Sequence, residues 1–139
     1  MNIYFAGSIR GGRDDQHLYL QIIELLKTYG NVLTEHIGDA TLSALGEDGP
    51  TDTYIYERDM EWLRSSNALV AEVTTPSLGV GYELGEACGK IPVLCLYRPQ
   101  EGKRLSAMIG GNKSFVVREY QTLEELDEIF RGFFEEMDV

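Results

Sequence analysis

The chain has 139 residues, 43% of them hydrophobic and 25% charged, and its formal net charge at pH 7 is −11. This length and composition predict one folded domain over residues 1–139 and exclude an intrinsically disordered chain. The negative charge argues against a nucleic-acid polymer as partner, because proteins that bind such polymers carry broad basic surfaces.

The sequence also indicates where the protein resides. No apolar run approaches the roughly 20 residues of a membrane span, and the N-terminal residues lack the basic segment of a signal peptide. We therefore expect a cytoplasmic protein, or a nuclear one if the source is a eukaryote, with no membrane partner. Cys88 and Cys95 have no metal-ligand spacing, so we expect reduced core thiols, no metal and no cofactor.

The first part of the chain alternates between strand and helix patterns. Residues 2–6 predict a strand, which ends in the glycine-rich turn GSIRGG at residues 7–12. Apolar residues at helical spacing then predict a helix to about Tyr29. A short second strand is predicted over residues 32–34, and the irregular residues 37–49 predict a surface lid or loop.

The middle of the chain contains the most apolar segments. A helix that Pro50 opens is predicted to extend to about Ser65. Residues 68–73 and 91–97 are near-continuous apolar runs, which are typical of parallel strands covered on both faces. Between these two runs, a helix is predicted over residues 80–88.

The last elements complete the pattern. A fifth strand is predicted over residues 115–117, and a closing amphipathic helix over residues 123–134. The alternation of strands and helices predicts an α/β fold: a doubly wound, Rossmann-like or flavodoxin-like parallel sheet of about five strands, with helices on both faces.

A carboxylate directly follows the third predicted strand. The segment PSLGVGYELG at residues 76–85 places Glu83 just inside a helix start that is punctuated by glycines. Glycines allow a small molecule to approach the backbone, and a helix N-terminus offers unpaired N–H groups to an anion. Ligands of doubly wound folds bind at the carboxyl ends of the strands, so we expect an anionic ligand here, with Glu83 facing the sugar attached to it.

Two further acids occupy apolar surroundings. Asp59 shares a predicted helix face with apolar residues that include Ile55 and Trp62. It is either a functional acid on an apolar stripe or an edge residue whose carboxylate reaches solvent or Arg58. Glu72 lies near the carboxyl end of the third strand and is a weaker candidate for lining a site.

The turn at residues 7–12 matches neither the dinucleotide fingerprint nor the Walker A pattern. A tight connection between strand and helix explains this turn as well as a ligand site does. Ser8 is a candidate ligand residue because it belongs to the turn. Tyr4 precedes this turn, and a core tyrosine is its simpler interpretation. His36 follows the second strand, where it is either a ligand contact or, more commonly, a surface residue.

Basic side chains are concentrated in two loops of this acidic chain. Arg10 and Arg13 follow the first strand, whereas Arg98, Lys103 and Arg104 follow the fourth. If those strands are parallel neighbours in one sheet, both loops open on the same edge. This pattern favours a small phosphorylated ligand.

Seven segments, in the same order and across nearly the whole chain, closely resemble the 2′-deoxynucleoside 5′-phosphate N-hydrolases. This family belongs to the wider nucleoside 2-deoxyribosyltransferase superfamily. The segments are residues 4–13, 32–36, 59–63, 70–74, 76–85, 94–99 and 105–109. The resemblance implies a homodimer that acts on a small-molecule deoxynucleotide.

The resemblance also implies roles for individual residues. Glu83 would be the nucleophile, Asp59 the acid that assists departure of the base, and Tyr4 the hydroxyl that orients the site. Ser106 and Met108 would reach into the neighbouring subunit's site. The residues implied to hold the nucleotide and its 5′-phosphate are Gly7, Ile9, Arg10, Gly11, Ser77 and Gly79.

The chemistry implied is that of a retaining glycosidase applied to an N-glycosidic bond. Glu83 would attack C1′, and water would hydrolyse the resulting covalent enzyme to 2-deoxyribose 5-phosphate. Desolvation on an apolar helix face would keep Asp59 neutral, as an acid must be.

Three alternatives to this hydrolase stay open. A deoxyribosyltransferase passes the same covalent intermediate to a second base, although transferases act on unphosphorylated nucleosides. A ribonucleotide N-hydrolase that acts on cytidylate-type substrates is a nearer variant. A non-catalytic nucleotide-binding module would need the loops but not Glu83, Asp59 and Tyr4 together.

Overall fold

The computed structural model describes residues 1–9, 15–34 and 50–138. Five parallel strands form one sheet in the order β2-β1-β3-β4-β5. The strands are β1 (Asn2–Ala6), β2 (Asn31–Val32), β3 (Ala68–Glu72), β4 (Val93–Tyr97) and β5 (Phe115–Glu119). The helices in the described part are α1 (Gln16–Leu26), α2 (Asp52–Arg64), α3 (Leu78–Ala87), α4 (Ala107–Gly110) and α5 (Leu123–Met137).

The strand order confirms the predicted doubly wound fold. It is the flavodoxin-like order, in which the connections change direction between β1 and β3. These two strands are paired in register, with Tyr4 beside Leu69 and Ala6 beside Ala71. Ligands of such folds bind outside the carboxyl ends of the strands at this switch point, so the residues that follow β1 and β3 lie where a site is expected.

Alternation along β1 divides the core into two layers. Ile3 and Phe5 belong to one apolar cluster with residues of α1 and α5. Tyr4 and Ala6 belong to a second cluster with residues of α2 and α3. Because neighbouring side chains of a strand point to opposite faces, Tyr4 is directed to the face that α2 and α3 cover.

Several predicted boundaries differ from the structure. Strand β2 has only two residues, because the Thr34 side chain takes over the pairing: its hydroxyl donates to the Phe5 carbonyl at 2.6 Å and accepts from the Phe5 N–H at 2.8 Å. Helix α2 begins after Thr51, whose hydroxyl accepts from the Tyr54 N–H at 3.1 Å, rather than at Pro50. The sequence did not predict α4, a single turn capped by Ser106.

Other predictions concern the cysteines and the membrane. Both cysteines are free thiols; Cys95 is buried in β4, where burial raises its pKa to about 12. Cys88, at the end of α3, is less buried than predicted. In the described ranges, none of the helices has the length and apolar character needed to cross a membrane. The predicted lid or loop at residues 37–49 lies outside the described residues.

Candidate active site

The Tyr4 hydroxyl and the Glu83 carboxylate are in direct contact at the switch point. Tyr4 is fully buried in β1, and its hydroxyl donates to Glu83 Oε2. Burial, followed by the negative charges of Glu83 and Asp59, raises the pKa of Tyr4 well above its ordinary value. Tyr4 is therefore a neutral hydrogen-bond donor near neutral pH.

Glu83 lies in the second turn of α3, on the side that faces the sheet. The helix begins after Ser77, whose hydroxyl accepts from the Val80 N–H at 3.3 Å. Burial raises the pKa of Glu83 to about 7; the hydrogen bond from Tyr4 opposes this shift and the charge of Asp59 adds to it. Near neutral pH, Glu83 therefore exchanges readily between its acid and its carboxylate.

Asp59 enters the site from α2 and is paired with an arginine. Asp59 Oδ1 accepts from the Arg58 guanidinium, at 2.9 Å from Nη2 and 3.0 Å from Nε, and 23% of the Asp59 side chain is exposed. The guanidinium carbon lies 4.8 Å from the ring centroid of Trp62, which fixes its position. Of the two interpretations drawn from the sequence, the structure shows the pairing with Arg58; the role of Asp59 as an acid stays a prediction.

The start of the turn after β1 is held by α1. Gly7 is packed so closely that an added Cβ would lie 2.9 Å from the Tyr19 ring. The Ser8 N–H donates to the Tyr19 hydroxyl at 3.1 Å. The Ser8 hydroxyl oxygen is fully buried and has no hydrogen-bond partner in the described part of the chain. Ile9 packs partly against the α1 side of the core.

The remaining sequence candidates fall into three groups. Ser77 and Gly79 lie at the start of α3, one turn before Glu83, where Gly79 leaves open space beside the backbone. Ser106 and Met108 lie at α4, where the Ser106 hydroxyl accepts from the Met108 N–H at 3.2 Å. No hydrogen bond in the described part joins these two to Tyr4, Asp59 or Glu83. Arg10, Gly11 and His36 lie outside the described residues.

Arg98 does not have the role that its place in a basic loop predicted. Its guanidinium donates to Glu72 Oε2 at 3.1 Å and to Asp15 Oδ2 at 2.6 Å. Arg98 is thus paired with two carboxylates, whereas the sequence had assigned its guanidinium to a phosphorylated ligand. Glu72 itself is fully buried and directed to the α1 face, so it does not line the site around Glu83.

Sequence reasoning missed Tyr19 and Asp15, which hold the two sides of the turn after β1. Tyr19 was hidden among the apolar positions of α1. Asp15 had a usable signal, since an acid directly before a helix is typical of a helix cap. Its pairing with Arg98, 83 positions away, depends on the strand order.

A cavity of about 400 Å³ lies elsewhere, between β5 and α5, and is lined by Val116, Phe133, Glu125 and Glu128 among others. Its rim is mainly acidic, which does not suit a phosphorylated ligand. The group formed by Tyr4, Asp59 and Glu83 is the better candidate, because it combines a perturbed acid, a fixed donor and a second carboxylate.

Comparisons with known proteins identify the family of the chain. The model of the nucleoside 2-deoxyribosyltransferase family matches residues 3–117. The chain is similar to a Mus musculus protein named 5-hydroxymethyl-dUMP N-hydrolase, with 53% identity over 140 residues that cover 96% of this chain and 80% of that protein. A Homo sapiens protein of the same name is 49% identical over 138 residues, which cover 96% of this chain and 79% of the human protein.

A third relative comes from Nematostella vectensis. It is provisionally named 2′-deoxynucleoside 5′-phosphate N-hydrolase 1 and is 59% identical over 138 residues, which cover 95% of this chain and 92% of that protein. The similarity to all three therefore extends over nearly the whole chain and includes every element that carries the candidate site.

Proposed function

The chain belongs to the nucleoside 2-deoxyribosyltransferase family, and from this premise we propose that it hydrolyses the N-glycosidic bond of 2′-deoxynucleoside 5′-monophosphates. It is an enzyme of the class that hydrolyses N-glycosyl compounds. The products are the free base and 2-deoxyribose 5-phosphate. The observation that carries the proposal is the contact between Tyr4 and Glu83 at the switch point of the sheet.

The first chemical step is the attack of Glu83 on the sugar. The ionised carboxylate forms a bond to C1′ while the bond from C1′ to the base nitrogen breaks, and the electron pair of that bond leaves with the base. Tyr4 donates to Oε2, so the hydroxyl fixes the orientation of the carboxylate. In the second step the oxygen of water bonds to C1′ while the ester bond to Glu83 breaks and its carboxylate is restored; the proton released by the water returns to Asp59, which gave one to the departing base.

Asp59 assists departure of the base. The leaving nitrogen must gain a proton or a hydrogen bond, and Asp59 is the second acid whose charge acts on both Tyr4 and Glu83. Asp59 is paired with Arg58, and the raised pKa of Glu83 keeps a proton in the site near neutral pH. The reactive complex therefore requires Asp59 to carry this proton, ready to transfer to the base, while Glu83 is ionised and ready to attack.

The nucleotide is held by the two strand-to-helix connections. The Ser8 hydroxyl is buried and unpaired, a state that costs about 1–3 kcal/mol, and a ligand oxygen would satisfy it. The start of α3, with Ser77 and Gly79, offers N–H groups to an anion. Binding the remote phosphate there positions C1′ against Glu83, which raises the rate as well as the affinity.

The direct test is release of base from a panel of nucleotides. The panel contains dUMP, dGMP, 5-hydroxymethyl-dUMP, deoxyuridine and CMP, and the names of the relatives make 5-hydroxymethyl-dUMP the first to assay. We expect wild-type enzyme to release base from deoxynucleoside monophosphates, Glu83→Gln to release none, and Glu86→Gln to resemble wild type. Glu86 is a matched control because it lies on the same helix and its partners, Lys90 and Tyr82, are exposed side chains.

The same panel separates the alternatives. Equal rates on deoxyuridine and dUMP, with a new nucleoside formed when a second base is added, would identify a transferase. Faster release from CMP than from dUMP would identify a ribonucleotide hydrolase. If the wild-type protein binds nucleotides but releases no base from any of them, it is a non-catalytic nucleotide-binding module.

We further propose that the active unit is a homodimer. Leu78 at the start of α3 is 96% exposed and Met108 on α4 is 81% exposed, which is unusual for large apolar side chains. A two-fold contact between these surfaces would cover them and bring Ser106 to the partner's phosphate site. Mixing Ser106→Trp with Glu83→Gln protein under conditions of subunit exchange should then restore activity, since some heterodimers carry one intact site. Heterodimers without any activity would place Ser106 outside the partner's site.

A further inference from the structure

Glu72 forms the centre of a buried polar cluster on the α1 face of the sheet. Its Oε1 accepts from the Thr74 N–H at 2.7 Å. Its Oε2 accepts from Arg98 Nε at 3.1 Å and from the hydroxyl of Tyr120. A fully buried carboxylate is tolerated only when it is paired and hydrogen-bonded in this way, so the cluster has a defined geometry.

Arg98 connects this cluster to the end of the turn that precedes α1. Its Nη2 donates to Asp15 Oδ2 at 2.6 Å, and the Thr75 hydroxyl lies 3.4 Å from the same oxygen. Asp15 occupies the N-cap position of α1 but its side chain caps no helical N–H, although aspartate is a favoured cap. The carboxylate instead ties the start of α1 to the ends of β3 and β4.

Tyr19 connects the beginning of the same turn to the same cluster. It accepts the Ser8 N–H at 3.1 Å and excludes any Cβ at Gly7. Tyr19 lies one turn after Asp15 in α1, and its backbone N–H donates to the Asp15 carbonyl at 2.9 Å. Ser8 and Asp15, on the two sides of the turn, are thus fixed by one group of side chains.

Charge argues against direct binding of a phosphate by Arg98. Burial lowers the pKa of Arg98, but the carboxylates of Glu72 and Asp15 outweigh this effect, and the net direction is upward. Among the described residues, the cluster has one guanidinium between two carboxylates, an arrangement that disfavours a phosphate dianion. The cluster also lies on the opposite face of the sheet from Glu83, so it does not reach the bond that breaks.

We propose that Arg98 is a positioning residue: together with Asp15 and Glu72 it fixes the start of α1, and through Tyr19 of that helix it holds Ser8 where the nucleotide binds, without contacting the nucleotide itself. The inference rests on the proposed function, because Ser8 is assigned to the substrate. It makes a distinctive prediction for Asp15. If Arg98 held the phosphate, removing the Asp15 charge would strengthen phosphate binding; if Arg98 acts through Asp15, the same change weakens it.

The experiment measures kcat and KM for the deoxynucleoside monophosphate that wild-type enzyme cleaves fastest. Asp15→Asn, which is nearly isosteric, and Arg98→Met should each raise KM about tenfold with kcat changed less than about threefold, and the double variant should be no worse than Arg98→Met alone. Arg98→Lys, which keeps the charge but not the fork that engages both carboxylates, should lie between Arg98→Met and wild type. Arg131→Met, on the exposed side of α5, is the control and should resemble wild type.

A second readout does not need activity. The Ser8 amide should exchange with solvent faster in Asp15→Asn and Arg98→Met than in wild-type protein, while amides of β3 and β4 stay protected. An unchanged or lowered KM in Asp15→Asn, together with a raised KM in Arg98→Met, would make Arg98 a phosphate ligand and overturn the proposal. So would an unchanged KM in both variants. If the wild-type enzyme cleaves no deoxynucleotide, the proposed function fails, and unchanged Ser8 exchange would then overturn the positioning role separately.

Discussion

Replacing Glu83 by glutamine should stabilise the unliganded protein at pH 8 and have a much smaller effect at pH 5. Glu83 is partly buried, and burial raises its pKa from the ordinary value of 4.5 to about 7. Between these two values the folded protein binds more protons than the unfolded chain. Stability therefore falls as the pH rises across that window, and it levels off above pH 7. The glutamine side chain can still accept the hydrogen bond from the Tyr4 hydroxyl but does not ionise. The variant therefore does not lose stability from this group as the pH rises.

The size of the effect follows from the same shift. Each pKa unit corresponds to 1.36 kcal/mol, so keeping Glu83 ionised in the folded state costs about 2 to 3 kcal/mol after allowance for its partial exposure. Some of the cost is already present at pH 5. The free energy of unfolding of Glu83→Gln, taken relative to that of wild type, should therefore be about 2 kcal/mol larger at pH 8 than at pH 5.

Urea unfolding at the two pH values measures this difference. All other titrating groups are common to the two proteins, so their contributions cancel in the comparison. Glu86→Gln, which removes an exposed carboxylate from the same helix, should show nearly the same relative stability at pH 5 and pH 8. A relative stability of Glu83→Gln that does not change between the two pH values, or a variant less stable than wild type at pH 8, would refute the reasoning.

Three further outcomes are expected. Values of kcat/KM for a deoxynucleoside monophosphate should fall about tenfold per pH unit below pH 7, because only the ionised form of Glu83 attacks C1′; a flat profile down to pH 5 would contradict its role. Asp59→Asn should slow release of poor leaving bases strongly and of activated bases only slightly, and an equal loss on both would make Asp59 structural. Gly7→Ala should cost about 1–3 kcal/mol in urea unfolding, since its methyl group would meet the buried Tyr19 ring; a stability equal to wild type would show that the ring moves aside.

The sequence was sufficient for the architecture because the signals were long and regular. The apolar runs around Leu69 and Leu94 have the composition of buried parallel strands, and the structure places them at the centre of the sheet. Short elements were less well predicted. The end of β2 depends on a side-chain bond between Thr34 and Phe5, and α4 consists of a single turn, so neither produces a periodic pattern.

A candidate site residue was predictable where the sequence immediately around it carries the signal. Glu83 follows a strand and a glycine-rich helix start, and this position alone marks it as a candidate. The charge states were not predictable in the same way. Arg98 was assigned to a ligand because it lies in a basic loop, yet its two partners come from the end of β3 and the start of α1, which only the folded chain brings together.

The two faces of the sheet have different tasks in this arrangement. On the face of α2 and α3, burial raises the pKa of Glu83 to about 7 at a cost in stability, which suits the nucleophile proposed for this position. On the face of α1 and α5, Glu72 accepts hydrogen bonds from Arg98 and Tyr120 and belongs to a paired cluster. The turn after β1 joins the two faces, because Ser8 is tied to the α1 side while it follows directly on the strand that carries Tyr4. Under the proposed function, the paired groups on one face thus position Ser8 beside the reacting groups on the other.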